Sequence, residues 1–93
     1  MGKGDTYRVE ITPHAKRSLG RLGREAGSLA RILHAIEALA QDPRPTGCSK
    51  LKASRYDNLY RIRIGDWRII YAVEDERIVV VILDVVRRDE AYR

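Results

Sequence analysis

With 93 residues the chain has room for one small domain, 1–93, built around one hydrophobic core. Its 18 Lys and Arg against 13 Asp and Glu give a formal net charge of +5 and a pI near 9.7, which favours an anionic partner: nucleic acid, an acidic protein or a membrane surface. The single cysteine, Cys48, rules out an internal disulfide and fits a reducing, cytoplasmic setting; one Cys and two distant His rule out a zinc site, and no apolar run reaches membrane-spanning length.

The first residues, Met1-Gly2-Lys3-Gly4-Asp5, lack the apolar segment of a signal peptide. Tyr7 to Ile11 alternates with period two and reads as a short strand. Thr12-Pro13 then supplies an N-cap and a proline at the first helical position. The helix they open is expected to run from Pro13 to Leu22, with Ala15, Leu19 and Leu22 inward and Gly23 as its stop. Ser28 is the expected cap of a second helix reaching Ala40. Its apolar stripe is Leu29, Ile32, Leu33, Ile36, Leu39 and Ala40, with Arg31 and His34 turned toward the opposite side. Asp42-Pro43-Arg44-Pro45 ends that helix, and a loop continues to Asp57.

The rest reads as strands. Leu59–Ile64 and Trp67–Val73 alternate on either side of a Gly65-Asp66 hairpin turn. Glu74-Asp75-Glu76-Arg77 is a polar turn. Ile78–Leu83 is apolar throughout, the pattern of a central strand buried on both faces. A polar tail from Arg87 to Arg93 closes the domain. The expected fold is α+β, order β-α-α-β-β-β, with two helices packed on a small, mostly antiparallel sheet.

Between Lys50 and Tyr71 six basic residues (Lys50, Lys52, Arg55, Arg61, Arg63, Arg68) stand against two acidic ones (Asp57, Asp66). Most of the net charge therefore lies in this segment. Tyr60, Ile62 and Ile64 share one strand face, and Arg61 and Arg63 share the other. The side taken by Arg68 depends on register. Arginines held on rigid strands suit phosphate recognition, although a solvated outer sheet face can carry the same alternation. Arg87-Arg88 and Tyr92 form a second cluster, able to neutralise phosphates and to stack on a base. His14 and His34 read as surface histidines. Asp66 reads as a turn residue, Asp57, Asp89 and Glu90 as structural carboxylates, and Trp67 and Tyr71 as core.

Tyr60-Arg61-Ile62-Arg63-Ile64-Gly65-Asp66-Trp67-Arg68-Ile69-Ile70-Tyr71, the Lys50-Leu51 pair and the ending Val85-Val86-Arg87-Arg88-Asp89-Glu90-Ala91-Tyr92-Arg93 together resemble the RelE-type toxins of the RelE/ParE superfamily, the toxic halves of toxin–antitoxin pairs. The resemblance implies an endoribonuclease that enters the ribosomal A site and cuts messenger RNA without a metal or other cofactor. It implies 2′-hydroxyl attack on the adjacent phosphate, which calls for a base, an acid and cations at the transition state. By position it makes Arg61, Arg63, Arg68, Arg88 and Tyr92 the catalytic set, with Lys50, Lys52, Arg55 and Arg87 binding RNA. Some relatives carry lysines where Arg61 and Arg63 stand, and one of those is a proposed general base. Arginine stays protonated and accepts protons poorly, so the base is open among Tyr92, Lys50, Lys52, a ribosomal group or none. The implied partners are the ribosome, its mRNA and a RelB-like antitoxin with an acidic segment that wraps the toxin, and no membrane. A ParE-like poison of DNA gyrase, or a degenerate toxin that only binds its antitoxin, is the alternative.

Overall fold

The computed structural model describes residues 6–23, 27–51 and 58–87. In chain order its elements are β1 (Arg8–Ile11), α1 (Pro13–Leu22), α2 (Ser28–Gln41), β2 (Ser49–Lys50), β3 (Leu59–Ile64), β4 (Trp67–Glu74) and β5 (Val79–Arg87). The strands form one five-stranded sheet in the order β1-β5-β4-β3-β2. β1 runs parallel to β5, and every other pairing is antiparallel. The expected α+β order is present, with the two-residue β2 added at the edge where a loop was expected.

α1 starts as its sequence dictates. Thr12 Oγ1 accepts a hydrogen bond from the Ala15 amide at 3.1 Å, Pro13 fills the first turn, and Gly23 caps the end. α2 departs from expectation in two ways. Its N-cap is Gly27 at φ 81°, with no side-chain cap, and Ser28 is already helical. Its buried face is also rotated: Leu33 is 40% exposed, whereas Ala35 packs on the core. Hydropathy alone favours the Leu33 flank over Ala35; contact with the sheet selects the other.

Both helices lie on one face of the sheet. Ala15 and Leu22 of α1 and Ile32, Ile36 and Leu39 of α2 meet Ile69, Tyr71 and Val73 of β4 and Val80, Ile82 and Val85 of β5. β5 reaches Arg87, four residues beyond the apolar run that marked it in the sequence. A bulge explains the difference. Ile70 pairs with Asp84 and Tyr71 with Ile82, so Leu83 is the extra residue. Strict alternation from Ile82 would have sent Asp84 into the core. The extra residue shifts the phase and sends Val85 there instead, buried to 1% exposure.

Two ends of the sheet are thereby defined. At one, β3 turns into β4 through Gly65 at φ 60°, the glycine-first pattern of a tight hairpin turn. At the other, β4 turns into β5. The Tyr7 amide donates to Ala40 O at 2.8 Å, which sets the C-terminal end of α2 beside the start of β1 and the β4–β5 turn. The N-terminal end of α2 consequently lies toward the hairpin.

Candidate nucleic-acid interface

Register decides which way each cation of the hairpin points. Tyr60, Ile62 and Ile64 pair with Tyr71, Ile69 and Trp67, and all six belong to or pack against the core on the helix side. Arg61 and Arg63 alternate to the opposite face. Arg63 stands directly across from Arg68, and Arg61 across from Ile70, so all three arginines share the face that the helices leave uncovered. The side taken by Arg68, open in the sequence, is settled by this pairing. The three differ in burial: Arg68 is 3% exposed, Arg61 is half-buried and Arg63 is exposed.

Like charges directly opposite one another on neighbouring strands are destabilising. Arginine cannot relieve that by losing its proton. The Arg63–Arg68 pair is thus a permanent concentration of positive charge, held by backbone hydrogen bonds and sunk on one side into the sheet surface. An anion laid across this face relieves the repulsion and meets planar, multidentate donors.

The other candidates fall elsewhere. Lys50 pairs with Tyr60, so it lies on the opposite side of the edge from Arg61. Arg87 pairs with Trp67 on the helix side, and its guanidinium carbon sits 5.3 Å from the Trp67 ring centroid, a cation–π contact. Lys52, Arg55, Arg88 and Tyr92 lie outside the described residues, as do Asp57, Asp89 and Glu90.

The β4–β5 end treats its cations differently. Arg44 binds Asp75 through two hydrogen bonds, 2.7 and 3.2 Å, and its Nε donates to the Tyr60 hydroxyl at 2.9 Å. The Tyr7 hydroxyl donates to the same carboxylate at 2.7 Å. The Arg44 bonds, then the Tyr7 bond, hold the Asp75 carboxyl below its ordinary pKa, and that bond to Asp75 pushes the Tyr7 hydroxyl above its own. Burial, with Cys48 close by, pushes the Tyr71 hydroxyl up, and it donates to Pro43 O at 2.8 Å. Arg8 pairs with Glu10, and Arg77 with Glu74 and Glu10. Among the described residues, neither Arg61 nor Arg63 makes an ion pair. The carboxylates of Glu10, Glu74 and Asp75 are spent at the end away from the hairpin.

A Ser–Asp–His grouping also occurs, on α1 and β5. His14 Nε2 lies 3.1 Å from Asp84 Oδ2, and the Ser18 hydroxyl, buried to 2%, donates to Asp84 Oδ1 at 2.9 Å. Both side chains contact the carboxylate and no hydrogen bond joins Ser18 Oγ to the imidazole, so the serine lacks the base that nucleophilic catalysis requires. The grouping anchors α1 where β1 has ended. Sequence reasoning gave His14 no partner, because nothing local announces Asp84, 70 residues away in the chain. Among the described residues no group of three or more His, Cys, Asp or Glu could hold a metal ion, and no helix is long and apolar enough to cross a membrane.

The family model described as the ParE toxin of type II toxin–antitoxin systems, parDE, matches residues 9–92. The chain is similar to the toxin RelE of Mycobacterium tuberculosis, with 31% identity over 93 residues, 100% of this chain and 93% of that relative. It is similar to a putative toxin RelE1 of Methanocaldococcus jannaschii, with 31% identity over 90 residues, 94% of this chain and 96% of the relative. Among solved structures, the M. tuberculosis toxin–antitoxin complex RelBE2 superposes with a TM-score of 0.77 at 30% identity, covering 92% of this chain and 95% of that one. The archaeal RelE–RelB complex of Pyrococcus horikoshii gives 0.77 at 32% identity, covering 89% and 96%.

Proposed function

The chain belongs to the RelE/ParE superfamily of type II toxin–antitoxin systems as a RelE-type toxin, and from that premise we propose that it is a ribosome-dependent endoribonuclease that halts translation by cutting mRNA in the A site. The observation that carries the reading is the arginine face: Arg63 directly across from the buried Arg68, with Arg61 beside them. In the proposed reaction the ribose 2′-oxygen forms a bond to phosphorus and gives up its proton. The bond from phosphorus to the 5′-oxygen breaks, and that oxygen takes a proton. The products are a 2′,3′-cyclic phosphate and a 5′-hydroxyl. Negative charge builds on the phosphate oxygens between these events, and preorganised guanidinium groups stabilise it.

Arg61, Arg63 and Arg68 supply charge and orientation and do not take the proton. Lys50 faces away from them. The acceptor is therefore assigned to Tyr92, Lys52 or a ribosomal group, and Arg88 joins the transition-state cations. Lys52, Arg55 and Arg87 extend the RNA contact. The partner that restrains the toxin is a RelB-like antitoxin. Support comes from the relatives crystallised as RelBE2 and RelE–RelB complexes, and an acidic segment suits a chain of net charge +5.

The ParE description of the matching family model favours one second reading, a poison of DNA gyrase that acts by binding. Induced expression separates the two. The RNase reading expects growth arrest with mRNA fragmented at codon boundaries. Intact mRNA with accumulating DNA breaks would establish the gyrase reading instead.

A further inference from the structure

One arginine that the sequence pattern sets opposite the apolar stripe of its helix is placed at the hairpin end by the fold. Arg31 lies in the first turns of α2, on the flank that carries Ala35 rather than Leu33. Its guanidinium lies against the β3–β4 turn. A Cβ on Gly65 would sit 3.0 and 3.2 Å from its two terminal nitrogens and 3.4 Å from its central carbon. A Cβ there would push the guanidinium aside by a few tenths of an ångström, and Gly65 also holds φ 60°, which L side chains rarely adopt. Two constraints, turn geometry and room for a cation, therefore fall on the same residue.

Among the described residues nothing neutralises this cation. Among the described residues Arg31 makes no ion pair or hydrogen bond, even with Asp66 in the adjoining turn. It shares the helix side of the hairpin end with Arg87 and Trp67. The hairpin tip thus carries positive charge on both faces: Arg63 and Arg68 on one, Arg31 and Arg87 on the other.

We propose that Arg31, seated on Gly65, is a phosphate-binding residue that grips an RNA backbone on the helix side of the hairpin, separate from the scissile phosphate handled by Arg61, Arg63 and Arg68. The inference rests on the endoribonuclease reading. Because Arg31 stands across the hairpin from the reacting face, it contributes to binding and leaves the chemical step alone. The phosphate belongs to mRNA or to ribosomal RNA, and the two arms of the experiment tell them apart.

The dissociation constant of the toxin is measured on ribosomes at several salt concentrations. One arm uses an mRNA whose A-site codon carries 2′-deoxyribose, which removes the attacking hydroxyl and prevents cutting. The other uses an mRNA that ends at the P-site codon. Wild type, Arg31→Gln and Arg31→Lys are compared after thermal melting confirms that they fold, and cleavage of ordinary mRNA by wild type is checked alongside. Each phosphate contact steepens the slope of log K against log salt by about 0.7 to 0.9. Arg31→Gln is expected to weaken binding about tenfold at low salt and to flatten the slope by one such contact, with single-turnover cleavage at saturation unchanged. Arg31→Lys keeps most of the slope. A loss confined to the filled A site assigns the phosphate to mRNA, and a loss in both arms assigns it to ribosomal RNA. A wild type that cuts mRNA while Arg31→Gln keeps the full salt slope overturns the inference alone. A wild type that neither binds ribosomes nor cuts overturns the reading beneath it as well.

Discussion

At the residue scale, function and stability divide the arginines. Arg61 and Arg63 make no ion pair among the described residues and present their charge to whatever approaches the open face. Replacing either with Ala should leave the melting temperature nearly unchanged and lower single-turnover cleavage about 100-fold, the scale of one lost transition-state donor. Arg68 is buried, so Arg68→Ala confounds folding with activity. Arg68→Lys keeps the charge and loses the planar fork; it should fold and still cut poorly, which melting and cleavage measured together will test. Asp75 sets a pH dependence of a purely structural kind. Its pKa is depressed by Arg44 and then Tyr7, so its contribution exists above the ordinary carboxylate pKa and fades as the pH falls through the depressed value. The pair is exposed and worth on the order of 0.5 kcal/mol. Asp75→Asn should lower Tm slightly at neutral pH, and the difference should shrink as the pH falls below the ordinary carboxylate range.

At the element scale, local chemistry set some boundaries and long-range packing set others. α1 was legible because Thr12 and Pro13 carry their cap signals within three residues of each other and of Ala15. Thr12→Ala should cost about 1 kcal/mol and Thr12→Ser should restore it, read as a Tm loss of about 4–8 °C in a domain of this size. The hairpin was equally legible, since Gly65-Asp66 lies between two alternating runs. The rotation of α2 was not, because Leu33 and Ala35 flank the same stripe and only the sheet chooses between them. Nor was the end of β5: a bulge is set by the partner strand, and the apolar run that marks the strand in the sequence stops at Leu83. The arginine face followed from alternation for Arg61 and Arg63, and needed the observed register for Arg68. Arg31 gave no signal at all, since its neighbour Gly65 is 34 residues away.

Across the whole molecule, charge is polarised along the sheet. The β4–β5 end matches Arg8, Arg44 and Arg77 with Glu10, Glu74 and Asp75, whereas the hairpin end gathers Arg31, Arg63 and Arg68 with Asp66 as the turn's carboxylate. Among the described residues the paired charges cancel at one end while Arg31 and Arg63 keep theirs at the other, which aims the field toward the hairpin. Neutralising the paired end, as in Arg77→Gln, should therefore leave cleavage unchanged. The most direct test of the account is cleavage of mRNA by the purified toxin in programmed ribosomes, comparing wild type with the Arg61→Ala/Arg63→Ala double variant. The account predicts a cut within the A-site codon that leaves a 2′,3′-cyclic phosphate and a 5′-hydroxyl, and near-complete loss of that cut in a double variant that melts like wild type. A folded wild type that leaves A-site mRNA intact, or a double variant that cuts at the wild-type rate, would contradict it.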